Sequence, residues 1–355
     1  MGIKVAIVAD DLTGALDTGT PFVDAGLRVA VALDVDAVEA AIAADAEVVV
    51  VNTLSRALDP AQAAERVRQA AIPLKRASPE VVLKKIDSRL KGNVAVESEA
   101  LASAFGYGHL LVAPAVPDQQ RHTRRGHVIG FGVAEPLAIE PLFSGGKAEI
   151  AVADAASEDD LDRIVEGLDC SRTVAVGARG LGCAIARRVE KLSSKAVFRP
   201  SAKTLFAFGS RDPITAAQID LLLTSGLVRS YREAPGGAVP ESGMPGALPM
   251  LLQCSGEMTD PAQEVAARFA EGVTHIVDTA VPDMVMMGGG DTAYAILSSL
   301  GARVLTPKGE IEAGIPWFEV ERPGGGRMRC AVKSGGFGNP QSLINVLKPE
   351  VRQPG

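Results

Sequence analysis

Two adjacent carboxylates, Asp10 and Asp11, stand where an apolar run ends, in residues 3–17 (IKVAIVADDLTGALD). A short apolar run with β-branched residues, closed by a turn signal, reads as a buried strand of a parallel sheet. Ligands of open α/β sheets bind at the carboxyl ends of such strands. Strand geometry continued that far would turn the two side chains opposite ways. One of them could cap the following helix; a cap plus a solvated turn residue is the plain alternative, since Asp is common in turns. Two further strand ends are polar and of mixed charge. One carries Asp87 and Ser88 with Arg89 and Lys91, the other Arg121, His122 and Thr123. Carboxylates that accept hydroxyl hydrogen bonds, beside cations that hold a carboxylate, describe a site for a small hydroxy acid. Asp11, or Asp10 as second candidate, could take a proton from an attacking hydroxyl.

The second half carries phosphate chemistry. Gly288, Gly289 and Gly290, then Asp291 and Thr292, lie between an apolar run and a helix-compatible run. Gly335, Gly336 and Gly338 repeat that placement beside Lys333, and Ser210 lies in a third such turn, residues 208–215. Glycines there let backbone N–H groups approach phosphate oxygens, and the helix N-terminus adds its dipole. One such turn is weak; three in one half favour a nucleotide. None has the GxxxxGK[ST] or GxGxxG pattern.

The elements that must position these residues alternate. Strands are expected at 28–33, 47–53 and 109–115, within 249–256, and at the start of each of the stretches 81–93, 173–189, 205–223 and 283–301. Helices are expected ending near Gly26 and over 35–44 and 60–71, and after each glycine turn. Residues 130–160 are hard to assign. This alternation predicts parallel sheets with helices on both faces. The 355 residues suffice for two domains. A linker at 193–203 sets the division at 1–200 and 201–355, and a weak disorder signal falls on 323–327 and the last few residues.

A 47% hydrophobic, 22% charged chain is globular. A net charge of −7 with 4% aromatics argues against nucleic-acid and membrane-surface roles. The basic cluster Arg121, Arg124 and Arg125 runs against that sign. Four scattered cysteines suggest reduced thiols, and the four histidines lack metal-ligand spacing. His109 and His275 each precede a strand-like run. With no spanning run or signal pattern, a cytoplasmic protein is expected.

These residues match a known pattern. The stretches ADDLTGALD (9–17), KKIDSRLKGN (84–93), APAVPDQQRHTRRG (113–126), GARGLGCAIA (177–186), FGSRDPITAAQI (208–219), GGGDTAYAIL (288–297), GEIEAGIPWFEV (309–320) and VKSGGFGNPQSL (332–343) together resemble the four-carbon acid sugar kinases. The resemblance implies an N-terminal acid-sugar domain and a C-terminal ATP domain. It also implies γ-phosphoryl transfer to the terminal (C4) hydroxyl of threonate, erythronate or a 3-oxo-tetronate. Asp10 and Asp11 fall on the family's paired acids, Asp87 and Ser88 on its DS pair, and Arg121 and Thr123 on its GR-x-T element. Ser210, the 289–292 turn and Gly335 fall on ATP-contacting positions. The family commonly has Thr at Arg89, Arg at Lys91 and Gly at Gln120.

The expectation is a two-domain α/β kinase with its active site in the interdomain cleft. Mg2+ and the glycine turns, with Lys333 near the phosphates, hold ATP. Arg121, Lys91 and Arg89 hold the substrate carboxylate, and Asp11 orients or deprotonates the hydroxyl. The metal ligands are unassigned, and a homodimer is compatible with the chain. A haloacid-dehalogenase-type phosphatase, which needs D-x-D where this chain has adjacent acids, and a non-catalytic acid-sugar sensor remain the rivals.

Overall fold

The computed structural model describes residues 2–191, 196–240, 246–257, 259–322 and 325–348. The chain divides into two compact units, Met1–Lys195 and Ala196–Gly355. Parts of the expected linker and of 323–327, and the last residues, lie outside the described set.

The first unit opens with β1 (Val5–Ala9), whose five residues are all buried. A strand buried on both faces needs an unbroken apolar run, and Val-Ala-Ile-Val-Ala supplies it. α1 (Leu12–Asp24), β2 (Val29–Ala32), α2 (Val38–Ala43), β3 (Val48–Asn52), α3 (Pro60–Arg76), β4 (Val81–Lys85), α4 (Val94–Phe105) and β5 (His109–Ala113) follow. A small antiparallel sheet comes next: β6 (Arg121–Arg124), β7 (His127–Gly130) and β8 (Leu137–Ala138). β9 (Glu149–Val152), α5 (Glu158–Glu166), β10 (Thr173–Gly177) and α6 (Arg179–Arg188) complete the unit. The main sheet is parallel, in the order β2–β3–β1–β4–β10–β5–β9. α1 packs on α6 and α3 packs on α4, so the sheet carries two helical layers.

Three expectations shift. α1 begins at Leu12, directly after the acids, because Asp11 caps it. α3 outruns its expected end and carries Pro73 inside its last turns, with Ala70, Ala71 and Leu74 buried. That packing outweighs the backbone hydrogen bond a proline cannot make. Residues 130–160, unassigned from sequence, hold the end of β7 and the short strands β8 and β9, whose partial burial hides any period.

The second unit contains β11 (Thr204–Phe208), α7 (Pro213–Thr224), β12 (Ser230–Pro235), β13 (Met250–Ser255), α8 (Ala262–Ala280), β14 (Met284–Gly288) and α9 (Gly290–Ser299). It ends with β15 (Val304–Leu305), β16 (Pro307–Glu310), β17 (Pro316–Glu321), β18 (Arg327–Lys333) and α10 (Ser342–Asn345). Its sheet runs β12–β13–β11–β14–β18–β17–β16, parallel up to β18 and antiparallel beyond it. Phe206, Phe208, Leu251, Met286, Trp317 and Leu343 anchor the core. His275 lies inside α8, so the run expected to be a strand there is helical. Its apolar residues Phe269, Val273, Ile276 and Val277 recur at helical spacing and are buried, a 3.6-residue period that a short window misses.

Candidate active site

The strand-end residues of the first unit converge, though not as strand geometry predicts. Asp10 and Asp11 both turn onto one guanidinium. Arg56 Nε donates to Asp10 Oδ2 at 2.8 Å and Nη2 to Asp10 Oδ1 at 2.8 Å, while Nη1 reaches Asp11 Oδ2 at 2.9 Å and Nη2 reaches Asp11 Oδ1 at 3.0 Å. The expected opposite facing fails because Asp11 is drawn back as the cap of α1: the Gly14 N–H donates to its Oδ1 at 2.9 Å and Thr13 Oγ1 to its Oδ2 at 2.6 Å. Asp10 is buried and Asp11 is partly open, at 3% and 17% side-chain exposure. Asp11 is therefore the acid a ligand can reach.

Burial raises the Asp10 pKa, but Arg56, with Lys84 and Lys85, more than offsets it and holds the carboxyl below its ordinary value. Burial likewise works against the Arg56 charge, and Asp11 and Asp10 more than restore it. Arg56 was not among the residues singled out from sequence. It sits just past the polar end of β3, where Asn52, Thr53 and Ser55 were the only signal.

The segment after β4 closes around this knot. Gly92, at φ +85°, lies so near that a Cβ would come 3.1 Å from Asp10 Oδ2. The Asn93 side chain donates to Leu58 O at 2.9 Å and Ser55 O at 3.3 Å, tying the segment to the chain beside Arg56. Asp87 Oδ1 accepts the Arg89 N–H at 2.8 Å and so shapes the turn. Ser88 accepts from Arg121, whose Nε also donates to Phe131 O at 3.0 Å. Burial and the neighbouring Arg89 lower the Arg121 pKa, with Asp87 and Asp118 opposing. Two guanidiniums that feel one another's charge suit an anionic ligand. Lys91 is exposed, and only its backbone N–H approaches Asp87, at 3.5 Å. The Thr123 hydroxyl is buried without a hydrogen-bond partner among the described residues.

Lys84 and Lys85 sit side by side on β4 and point to opposite faces. Lys84 is fully buried in an ion pair with Glu97 of α4, Nζ to Oε2 at 2.8 Å, and also donates to Lys85 O at 2.8 Å. Lys85 lies on the α1 side; a Cβ on Gly14 would come 2.8 Å from its Nζ.

In the second unit the three glycine turns follow β11, β14 and β18, which are neighbours in the sheet. The N–H groups of Gly209 and Ser210 donate to Gly288 O at 3.0 and 3.2 Å, and the Gly289 N–H donates to Lys333 O at 3.0 Å. A Cβ on Gly209 would strike Thr292 Oγ1 at 2.0 Å, and one on Gly335 would meet Ser210 Oγ at 2.6 Å. Ser210, Gly289, Thr292 and Gly335 therefore crowd together, with Gly290 and Asp291 opening α9 and Gly336 beside Asp212. Gly289 adopts φ +100° and caps α9 without a side chain, leaving the first N–H groups of that helix to an external acceptor.

Lys333, expected near the phosphates, lies under its own turn. Its buried ammonium donates to Thr215 Oγ1 at 2.9 Å and to Ser334 O and Gly335 O at 3.1 Å each. Burial pushes its pKa down to about 8, against Asp212 and Glu312. The side chain is a strut beneath the turn. No group of three or more His, Cys, Asp or Glu that could hold a metal ion occurs among the described residues, and no described helix is long and apolar enough to cross a membrane.

Residues 5–142 match the family description "sugar-binding N-terminal domain" and residues 250–343 match "nucleotide-binding C-terminal domain". A D-threonate kinase of Bordetella bronchiseptica is 30% identical, covering 98% of this chain and 97% of its own. A 3-oxo-tetronate kinase of Pseudomonas fluorescens is 24% identical over 96% and 95% of the two chains. The fold is shared with Haemophilus influenzae protein HI1011, at TM-score 0.69 and 16% identity over 96% of this chain and 98% of that one. By full-length likeness to the tetronate kinases, and by its sugar-binding and nucleotide-binding halves, this chain belongs to the four-carbon acid sugar kinase family.

Proposed function

We propose that the protein transfers the γ-phosphoryl group of ATP to the terminal (C4) hydroxyl of a four-carbon sugar acid. The observation that carries this is the presence in one chain of two strand-end sites of complementary chemistry: an acid–guanidinium cluster in the unit matching sugar-binding domains, and three touching glycine turns in the unit matching nucleotide-binding domains. Phosphoryl transfer relies on alignment and charge neutralisation more than on covalent help. Asp11, the more open acid, accepts the hydrogen bond of the attacking hydroxyl, and Arg56 fixes its direction. Arg121 and Arg89 take the substrate carboxylate, with Lys91 at the rim. The Gly209–Ser210, Gly289–Thr292 and Gly335–Gly336 turns hold the triphosphate. Lys333 keeps the last turn in shape.

Mg2+ suits this donor set in one form. With no three-residue cage among the described residues, the ion would be held chiefly by phosphate oxygens and water, as is usual for Mg2+ at nucleotides. It would neutralise developing phosphoryl charge.

The Bordetella relative supports D-threonate as the first substrate to try. The test is ATP consumption over D- and L-threonate, D- and L-erythronate and the 3-oxo-tetronates. Phosphorus–carbon coupling in the NMR spectrum of the product then reports the esterified carbon. Turnover of a tetronate with phosphorus on C4, lost in Asp11→Asn, is expected. Absence of ATP-dependent turnover across the panel would end the proposal.

A further inference from the structure

Lys85 is a buried cation the scheme above leaves unused. It ends β4, in register with Ala9 of β1 and Gly177 of β10. Those two small residues flank its side chain and leave it a lane along the sheet. It is 5% exposed, and its ammonium makes no hydrogen bond or ion pair with any described residue. Asp10 and Asp17 feel its charge without reaching it. Its neighbour Lys84, fully buried, has Glu97 and two backbone carbonyls, Val8 O and Lys85 O. Buried ammonium donors are ordinarily satisfied, so a group of this kind left open at a strand end points to a ligand.

Its location says which ligand atom. The point 2.8 Å from Lys85 Nζ at which a Gly14 Cβ would sit is also 2.5 Å from Asp11 Oδ1. Lys85 and Asp11 thus flank one spot on the first turn of α1, a helix of 13 residues whose Leu12 and Thr13 N–H groups face outward from its N-terminus.

We propose that Lys85 is a catalytic residue of the transfer: its ammonium donates to the reacting hydroxyl oxygen held by Asp11, and then to the phosphoryl group as that oxygen takes it up. The inference rests on the kinase reading above. The alcohol oxygen bonds to the γ-phosphorus as the bond from that phosphorus to the β-phosphate bridging oxygen breaks. ADP leaves with that electron pair, and the hydroxyl proton passes to Asp11 and on to water. Lys85 keeps its proton throughout and supplies positive charge where negative charge gathers.

The test is Lys85→Met in the full chain, read three ways against the wild type. Turnover with ATP and the preferred tetronate should fall on the order of 100-fold, the usual cost of one preorganised donor at a developing anion. The tetronate Kd, measured by calorimetry without nucleotide, should stay within about threefold, since Arg121 and Arg89 still hold the carboxylate. The Tm should not fall, because methionine fills the same lane without an unpaired charge. A large rise in Kd would make Lys85 a carboxylate ligand and overturn the assignment. A lowered Tm, failure to fold or unchanged kcat would make it structural and overturn it too. A wild type inactive on every tetronate would instead refute the kinase reading on which the inference stands.

Discussion

Arg56 and Asp10 form a two-point ion pair, Nε to Oδ2 and Nη2 to Oδ1, both at 2.8 Å. The same guanidinium holds Asp11, so one residue from the end of β3 fixes the direction of both acids at the end of β1. Replacing Arg56 with Met should cost about 2 kcal/mol of stability at pH 7, the cost of stranding a buried carboxylate discounted for the 31% exposure of the Arg56 side chain. The Asp10 pKa is depressed in the folded protein, so its stabilising contribution is present above the ordinary value of 3.8 and lost as pH falls through the lower folded value. The wild-type advantage over Arg56→Met should therefore begin to shrink as pH falls below 3.8 and be lost only below the lower folded value. Urea titrations at pH 7 and at successively lower pH below 3.8 measure it, and a gap that stays constant throughout would refute the account.

Asp17 behaves in the opposite sense. Burial raises its pKa, and Lys85, Arg179 and the Thr18 hydroxyl only partly offset that. A carboxyl with a raised folded pKa stabilises fully below its unfolded value of 3.8, and that contribution is lost as pH rises through the folded value. Asp17→Asn should thus raise the Tm at pH 7 and leave it unchanged near pH 3.5. Differential scanning calorimetry at the two pH values decides, and a variant less stable at pH 7 would contradict it.

Arg121 should act in binding. Arg121→Met removes a buried guanidinium that feels the charge of Arg89 and leaves Ser88 and Phe131 O without their donor. The KM for the sugar acid should rise at least tenfold while kcat changes little, the pattern of a lost uniform contact. Steady-state kinetics at saturating ATP check this; a kcat loss at unchanged KM would move Arg121 into the chemical step.

Gly289→Ala should damage the nucleotide side alone. At φ +100° a side chain is strained whatever the space, by about 1–3 kcal/mol. The turn would relax away from Ser210 and Thr292, raising the KM for ATP severalfold without altering tetronate binding. Calorimetry with each ligand separately distinguishes this from a global defect.

Much of this was written in the chain. Continuous apolar runs such as residues 5–9 and 48–51 can only be central parallel strands, because every one of their side chains must be buried. Acids, cations and glycines placed just after such runs had to lie along one sheet edge. Hence the two-sheet α/β plan, the polar cluster of one unit and the glycine turns of the other were legible before any coordinate.

What tertiary structure decided is pairing. Nothing local marks Arg56 as the partner of residues 45 and 46 positions earlier; the adjacency of β3 and β1 makes it so. Nothing in Lys-Lys tells that Lys84 meets Glu97 while the Lys85 ammonium meets no partner among the described residues, or that Lys333 turns under its loop to Thr215. Sequence periodicity sets which face a side chain takes, a property of the backbone. Which charge waits on that face depends on how distant segments pack, and so appears only in three dimensions.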